Sequence, residues 1–298
     1  MESLKGVYPA VVTPYAKTGE LDKETLEKLI EFQLEAGVDG FYVCGTSGEG
    51  ILLDKRMRHS VVKTVIDCVR RRAKVIVQVA ACATDDAISF ARDAAELGAD
   101  AISSVPPIFF RVGLEGVRRY YTAIAKATDL PLIVYHIPAL SGVALSLEEA
   151  GELFDVPNVC GIKFSDYNLF LLRNIREHYP NATVFSGNDE IFLAALSMGA
   201  HGSIGLTLNF MPEVYVGIFQ AFEKGDIAEA QRLQFYATRV VEAIVRHNSI
   251  GACKAVLKMI GMDCGSTRGP VVPVEGKAYE TLREELASIG FFDKRARV

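Results

Sequence analysis

The chain has 298 residues, half of them hydrophobic and 23% charged, with 32 Lys and Arg against 37 Asp and Glu for a net charge of -5. That is the balance of a soluble globular enzyme, long enough for two small domains or for one α/β barrel with an appendage. It makes nucleic acid a poor partner, and no apolar run is long enough to cross a bilayer.

In chain order, short apolar runs alternate with longer amphipathic stretches. Strands are expected over 7–12, 40–43, 75–80, 101–105, 132–136, 159–164, 183–186 and 202–204, with helices over 22–36, 54–71, 85–97, 116–127, 147–153, 169–178, 191–198 and 213–223. Asp22 and Ser146 read as N-caps, and Gly37 and Gly98 sit where helices stop. The run Arg70-Arg71-Arg72 reads as ending a helix and solvating its last turn. Strands recurring at roughly 30-residue intervals predict a (β/α)₈ barrel, an α/β fold of about 250 residues. A doubly wound sheet would have a glycine-rich phosphate loop after its first strand, and Val11-Val12-Thr13-Pro14 has none. The division expected is a barrel over 1–225 and a C-terminal helical extension over 226–298, with helical patterns at 227–245, 251–260 and 279–289.

The first residues, Met1 to Lys5, lack the apolar core of a signal peptide, so a cytoplasmic protein is expected. The cysteines, Cys44, Cys68, Cys82, Cys160, Cys253 and Cys264, form no CxxC pair and are expected reduced and buried. His59, His136, His178, His201 and His247 show no ligand spacing such as HxH or HExxH, so no metal site is expected.

Active sites of such barrels lie at the C-terminal ends of the strands, and the chemically useful residues fall there. The second strand ends in Gly45-Thr46-Ser47-Gly48-Glu49-Gly50, the fifth at Tyr135, the sixth at Lys163, the seventh at Gly187-Asn188-Asp189-Glu190, and the eighth is followed by Gly205-Leu206-Thr207-Leu208-Asn209. Glycines and adjacent hydroxyls at 45–50 suit a small carboxylate, because the backbone can approach an anion closely. Lys163 ends an apolar run in which the charged ammonium is disfavoured and the neutral amine becomes available. A lysine and a tyrosine at the ends of neighbouring strands are the minimum equipment for an imine: the amine attacks a ketone, the iminium serves as electron sink, and the phenol moves protons. Thr46 and Ser47, holding the substrate carboxylate, would orient that ketone against Lys163.

Gly45-Thr46-Ser47-Gly48-Glu49, Tyr135-His136-Ile137-Pro138 and Gly161-Ile162-Lys163, in this order, resemble the signatures of the dihydrodipicolinate synthase / N-acetylneuraminate lyase family of pyruvate-dependent class I aldolases. The resemblance runs from Pro9-Ala10-Val11-Val12-Thr13-Pro14 to the helical tail. It implies a Schiff base between Lys163 and pyruvate, Tyr135 as proton relay, pyruvate's carboxylate on Thr46 and Ser47, no separate cofactor, and a homotetramer. Within the family, synthases usually carry an arginine where this chain has Leu140; the stretch around Leu140 and Lys163-Phe164-Ser165-Asp166 is instead similar to the sialic-acid-cleaving branch. That similarity implies a sugar aldehyde as the second partner. Ser165 would lie near the sugar chain, and Asp189 and Glu190 would bind its hydroxyl tail beside Gly187 and Gly205. Two positions depart from the pattern: Leu206 stands where that branch has serine, and Phe109-Phe110 where the family commonly has a tyrosine reaching a neighbouring subunit's site. Leu206 keeps open a different aldehyde, such as one released from a 2-keto-3-deoxy sugar acid. His136 reads as a packed, hydrogen-bonded histidine.

Overall fold

The computed structural model describes residues 4–295; residues 1–3 and 296–298, at the ends of the expected barrel and extension, lie outside the described residues. Eight strands form, β1 (Gly6–Pro9), β2 (Gly40–Val43), β3 (Lys74–Gln78), β4 (Ala101–Ser104), β5 (Leu132–His136), β6 (Val159–Phe164), β7 (Thr183–Ser186) and β8 (Gly202–Gly205). They are buried almost throughout, as parallel strands covered on both faces must be. They pair in the order β1-β8-β7-β6-β5-β4-β3-β2, and the parallel bridge between Ala10 and Tyr42 joins β1 to β2 and closes the ring. The expected (β/α)₈ barrel is the observed fold.

Helices α1 (Lys23–Glu35), α2 (Lys55–Val69), α3 (Thr84–Leu97) and α4 (Gly113–Ala125) follow the first four strands. A single turn, α5 (Pro138–Ser141), and then α6 (Leu147–Phe154) follow β5, while α7 (Leu169–His178), α8 (Phe192–Ser197) and α9 (Pro212–Glu223) follow the last three strands. After them come α10 (Ile227–Arg246), α11 (Ser249–Met259), α12 (Gly276–Ser288) and α13 (Phe291–Arg295). The caps are where the sequence puts them: Asp22 accepts from Thr25 N at 3.0 Å, and Ser146 forms a reciprocal capping box with Glu149.

Along each strand the side chains alternate. Tyr8, Tyr42, Ile76, Ala101, Ile133, Tyr135, Phe185 and Ile204 fill the barrel, while Val7, Phe41, Val75, Ile102, Val134, Ile162 and Val184 pack against the helices. Filling so narrow a space with tyrosines requires bare backbone opposite them. A Cβ on Gly40 would lie 2.1 Å from the Tyr8 ring.

Some sequence boundaries are corrected. The ladder of β1 stops at Pro9 rather than residue 12: Ala10 N still donates to Gly205 O of β8, but beyond it the N–H groups change partners, Val11 N donating to Tyr42 O and Val12 N to the side chain of Asn209. Asn209 is fully buried, and its amide also donates to Ala10 O at 2.8 Å and Leu206 O at 2.7 Å, so one side chain stitches the exits of β1 and β8 together. Losing it would leave buried main-chain groups unpaired, at about 1–3 kcal/mol each. The arginine run ends α2, two residues earlier than the expected 71: Arg70 is its left-handed cap (φ 49°), and Arg72 reaches back to Glu31. All six cysteines are free, but only Cys44, Cys253 and Cys264 are buried, and Cys82 is exposed at the end of the β3 exit loop. Among the described residues, no helix is long and apolar enough to cross a membrane.

Candidate active site

Tyr135 and Lys163 are direct register partners across β5 and β6. A bulge makes them so. Leu132 pairs with Val159 but Ile133 pairs with Gly161, leaving Cys160 as an extra residue on β6. Cys160 packs on the interior cluster, whereas Ile162 and Phe164 face the helices. The extra residue thus flips the parity of the strand and turns Lys163 inward. Both partners are 3% exposed.

The Lys163 Nζ lies 3.9 Å from the Tyr135 ring centroid and 4.4 Å from that of Tyr42. Tyr42 is held by its hydroxyl, which donates to Ser103 Oγ at 3.1 Å, and that serine donates in turn to Ile133 O. The two phenols differ. Burial raises the Tyr135 pKa, but the Lys163 charge and hydrogen bonding with Thr46, Lys163 and Ser165 outweigh it and hold the phenol below its usual range. For Tyr42, burial and the neighbouring Tyr135 outweigh the Ser103 hydrogen bond and the Arg58 charge and push the phenol well above its usual range. Of the two, Tyr135 is the one able to lose its proton.

The loop 45–50 folds back tightly, with Gly50 N on Gly45 O and Glu49 N on Thr46 O. Cys44 and Glu49 adopt left-handed backbone (φ 58° and 57°), and a Cβ on Gly50 would fall 1.7 Å from Cys44 O. Glu49 is buried and anchors the loop to the C-terminal helices: Lys254 Nζ of α11 is 2.7 Å from its Oε1, and Arg268 N donates to its Oε2 at 2.5 Å. Thr46 is thereby presented to the barrel mouth, and Ser47 is buried beside it.

On the other flank, Ser165 stands against Gly187, where a Cβ would come within 1.8 Å of Ser165 Oγ. Asp189 is buried. Its Oδ2 accepts from Thr207 N at 2.7 Å and Thr207 Oγ1 at 2.6 Å, with Tyr215 OH 2.7 Å behind that hydroxyl. Its Oδ1 has no hydrogen-bond partner among the described residues and occupies the space that a Cβ on Gly205 would need. Burial, with a smaller contribution from Glu190, pushes its carboxyl up to about 6 against the Thr207 hydrogen bonds and the Lys163 charge. Asp189 and Glu190 part company here: Glu190 Oε1 accepts from Tyr167 OH at 2.5 Å on the rim. From α10, Gln234 and Thr238 hold the carbonyls of Asp189 and Glu190.

The family model of the dihydrodipicolinate synthetase family matches residues 3–289. The chain belongs to that family. It is similar to an N-acetylneuraminate lyase of Rhizobium meliloti, 36% identical over 286 residues that cover 96% of this chain and 95% of the relative. Among solved structures it is similar to a catalytic-lysine mutant of the Ruminococcus gnavus sialic acid aldolase, with a TM-score of 0.93, 31% identity and 99% of each chain covered. It is also similar to a dihydrodipicolinate synthase from Bacillus anthracis, with a TM-score of 0.92, 28% identity, and 97% and 99% of the two chains covered. It is an enzyme, a carbon–carbon lyase.

The two departures are placed as follows. Leu206 is partly buried and packs on the outer core, and the adjacent Thr207 hydroxyl is committed to Asp189. Phe109 and Phe110 are 90% and 70% exposed, edge to face at 5.0 Å. His136 stacks on Phe164 at 4.9 Å, with Nε2 3.5 Å from Asp166 Oδ2, and burial lowers its pKa despite that carboxylate. Packed it is; hydrogen-bonded it is not, because neither ring nitrogen has a well-formed partner among the described residues.

Sequence reasoning missed Tyr42, Lys254 and Tyr167, and the bond of Thr207 to Asp189. Tyr42 carried a signal, being two residues after Gly40 on a strand and so on the same face. Lys254 carried none, since its partner Glu49 is remote in the chain and only the packing of α11 joins them.

Proposed function

We propose that this lyase is a Schiff-base class I aldolase that cleaves N-acetylneuraminate to N-acetylmannosamine and pyruvate. The observation that carries the reading is the pairing of Tyr135 with Lys163 in register, with the phenol made more acidic than usual. The neutral Lys163 amine attacks C2 of the open-chain 2-keto acid, whose carboxylate rests on the Thr46–Ser47 loop. Tyr135 gives a proton to the carbinolamine hydroxyl, which leaves as water. The iminium that forms carries its positive charge between the Tyr42 and Tyr135 rings, whose faces favour a cation. The Tyr135 phenoxide then takes the proton of the C4 hydroxyl, the C3–C4 bond breaks, and its electron pair passes into the iminium to give an enamine and the free aldehyde. Protonation of the enamine at C3 and hydrolysis of the imine release pyruvate and restore the lysine. Ser165 lies next to the C4 hydroxyl, and Asp189 and Glu190 take the hydroxyl tail beyond it. Lys163 is the electron sink, so no separate cofactor is required. The reading also comprises a homotetramer and a cytoplasmic location.

Borohydride reduction in the presence of pyruvate should add a three-carbon adduct at Lys163, read by peptide mass spectrometry; no adduct would sink the aldolase reading as a whole. A second reading keeps the chemistry and shortens the sugar, as in a 2-keto-3-deoxy sugar acid. It is favoured by Leu206 and by the commitment of the Thr207 hydroxyl to Asp189, which leave the far end of the tail one donor short. Turnover of a panel of sialic and keto-deoxy acids separates the two.

A further inference from the structure

Arg58 of α2 is 3% exposed, a buried cation that the reaction steps above leave unused. Its guanidinium donates to Gly50 O at 2.7 Å and to Gln78 O at the end of β3, and it lies 4.3 Å over the Phe90 ring. Burial pulls its pKa down, but an arginine keeps its charge in a protein. Among the described residues no carboxylate pairs with it: Asp93, whose charge reaches it, is taken by His59 at 2.7 Å. The buried Asp, Glu, Lys and Arg side chains among the described residues are Glu49, Arg58, Lys163, Asp189 and Lys254. Lys254 neutralises Glu49 at 2.7 Å, and the Lys163 charge acts against that of Asp189. One positive charge is left over, that of Arg58, and an uncompensated buried cation is costly.

Its place is set by the loop it holds. The carbonyl it grips is that of Gly50, whose own N–H closes the 45–50 loop on Gly45 O. That loop reaches the reacting groups through Thr46, which hydrogen-bonds with Tyr135 beside Lys163. The Arg58 charge extends there too. It opposes the rise in pKa of Cys44, just before the loop, and of Tyr42, whose ring centroid lies 4.4 Å from Lys163 Nζ.

We infer that Arg58 is a positioning residue for 2-oxo acids: it pins the 45–50 loop against β3 and supplies the positive charge that the substrate carboxylate balances. The inference rests on the aldolase reading, which brings that carboxylate to Thr46 and Ser47, and deepens it. Those two residues offer neutral donors, so they fix where the carboxylate lies. Arg58, acting through the loop, makes that place prefer an anion over a neutral group of the same shape.

The test compares pyruvate with pyruvamide, its neutral isostere, by the concentration of each that half-saturates borohydride trapping at Lys163. It uses the native enzyme, Arg58→Met, Arg58→Gln and Arg58→Lys. The preference for pyruvate should fall about tenfold in the neutral variants, the Coulomb effect of one charge acting across a layer of protein, and either variant suffices. Arg58→Lys should keep the preference to within about threefold. In condensation with a sugar aldehyde, the loss should appear as a raised KM for pyruvate, with kcat changed less. A mere brace for the loop would weaken both ligands alike. A preference that stays native in the neutral variants therefore overturns the inference, as does an equal loss in Arg58→Lys. In either case an adduct on the native enzyme leaves the aldolase reading standing. Absence of that adduct removes the aldolase reading, and the role of Arg58 with it.

Discussion

On the β6–β8 flank of Lys163, polar atoms are held short of full satisfaction: Asp189 keeps one buried oxygen unpartnered among the described residues, and Ser165 and Asp189 press against the bare backbone of Gly187 and Gly205. On the flank formed by the β2, β4 and β5 exits, Ile51, Ile108, Ile137 and Leu140 line a cleft of about 230 Å³ in which Glu49 and Ser141 are bonded elsewhere. The first flank is unfavourable when empty, since a half-satisfied buried carboxylate costs desolvation. The second loses little when empty and, beyond Thr46 at its edge, offers little to a polar ligand. A site so divided recognises by attraction on one side and by exclusion on the other.

The largest effect should come from the residue the flanks share. Lys163→Ala is expected to abolish the pyruvate adduct and lower kcat by roughly 10⁴-fold or more, as removal of a nucleophile does. Thermal stability should hold, because the variant also removes a buried amine. Tyr135→Phe keeps the packing and removes the phenol proposed as proton relay, so kcat should fall about 10²–10⁴-fold while the adduct still forms, slowly. Next is the anchor of the carboxylate loop. Lys254→Met leaves Glu49 buried and unpaired, a cost of about 3–5 kcal/mol in urea unfolding that Glu49→Gln in the same chain should largely restore.

Asp189 tests the polar flank through pH. Its carboxyl sits at about 6 when folded against an ordinary 3.8, so the folded state holds the proton more tightly. Stability is therefore full below pH 3.8 and falls as pH rises through 6. Asp189→Asn should remove that fall, gaining up to about 3 kcal/mol at pH 8 and little at pH 4, while raising KM for long polyol substrates. A melting-temperature profile across this range checks it. The smallest effect expected is Tyr167→Phe, which frees Glu190 from one hydrogen bond. It should change KM less than tenfold, about 1 kcal/mol, and more for nine-carbon than for six-carbon substrates.

Much of this was legible in the chain. Short apolar runs alternating with helical patterns give the barrel, and the rule that chemistry gathers at the strand ends brings Thr46, Tyr135, Lys163 and Asp189 to one rim. Less legible was the fate of Glu190. Its neighbour Asp189 turns into the barrel, while Glu190 is held on the rim by Tyr167 across a loop, a contact no spacing predicts. Nor could the end of β1 be read, since Asn209, nearly two hundred positions away, takes over its hydrogen bonds.

By itself the sequence determined what is local and periodic: alternating apolar runs, caps at Asp22 and Ser146, a glycine loop and a lysine closing a buried strand. Those features depend on neighbours within a few residues, so they survive in one dimension. The tertiary structure decided which way Lys163 faces, because the Cys160 bulge that turns it inward is a property of the pairing of β6 with β5. It decided that Glu49 is a buried anchor rather than a ligand, and that Lys163 lies between a polar flank and an apolar one. These outcomes belong to contacts between distant segments, where packing and desolvation, not local preference, set the free energy.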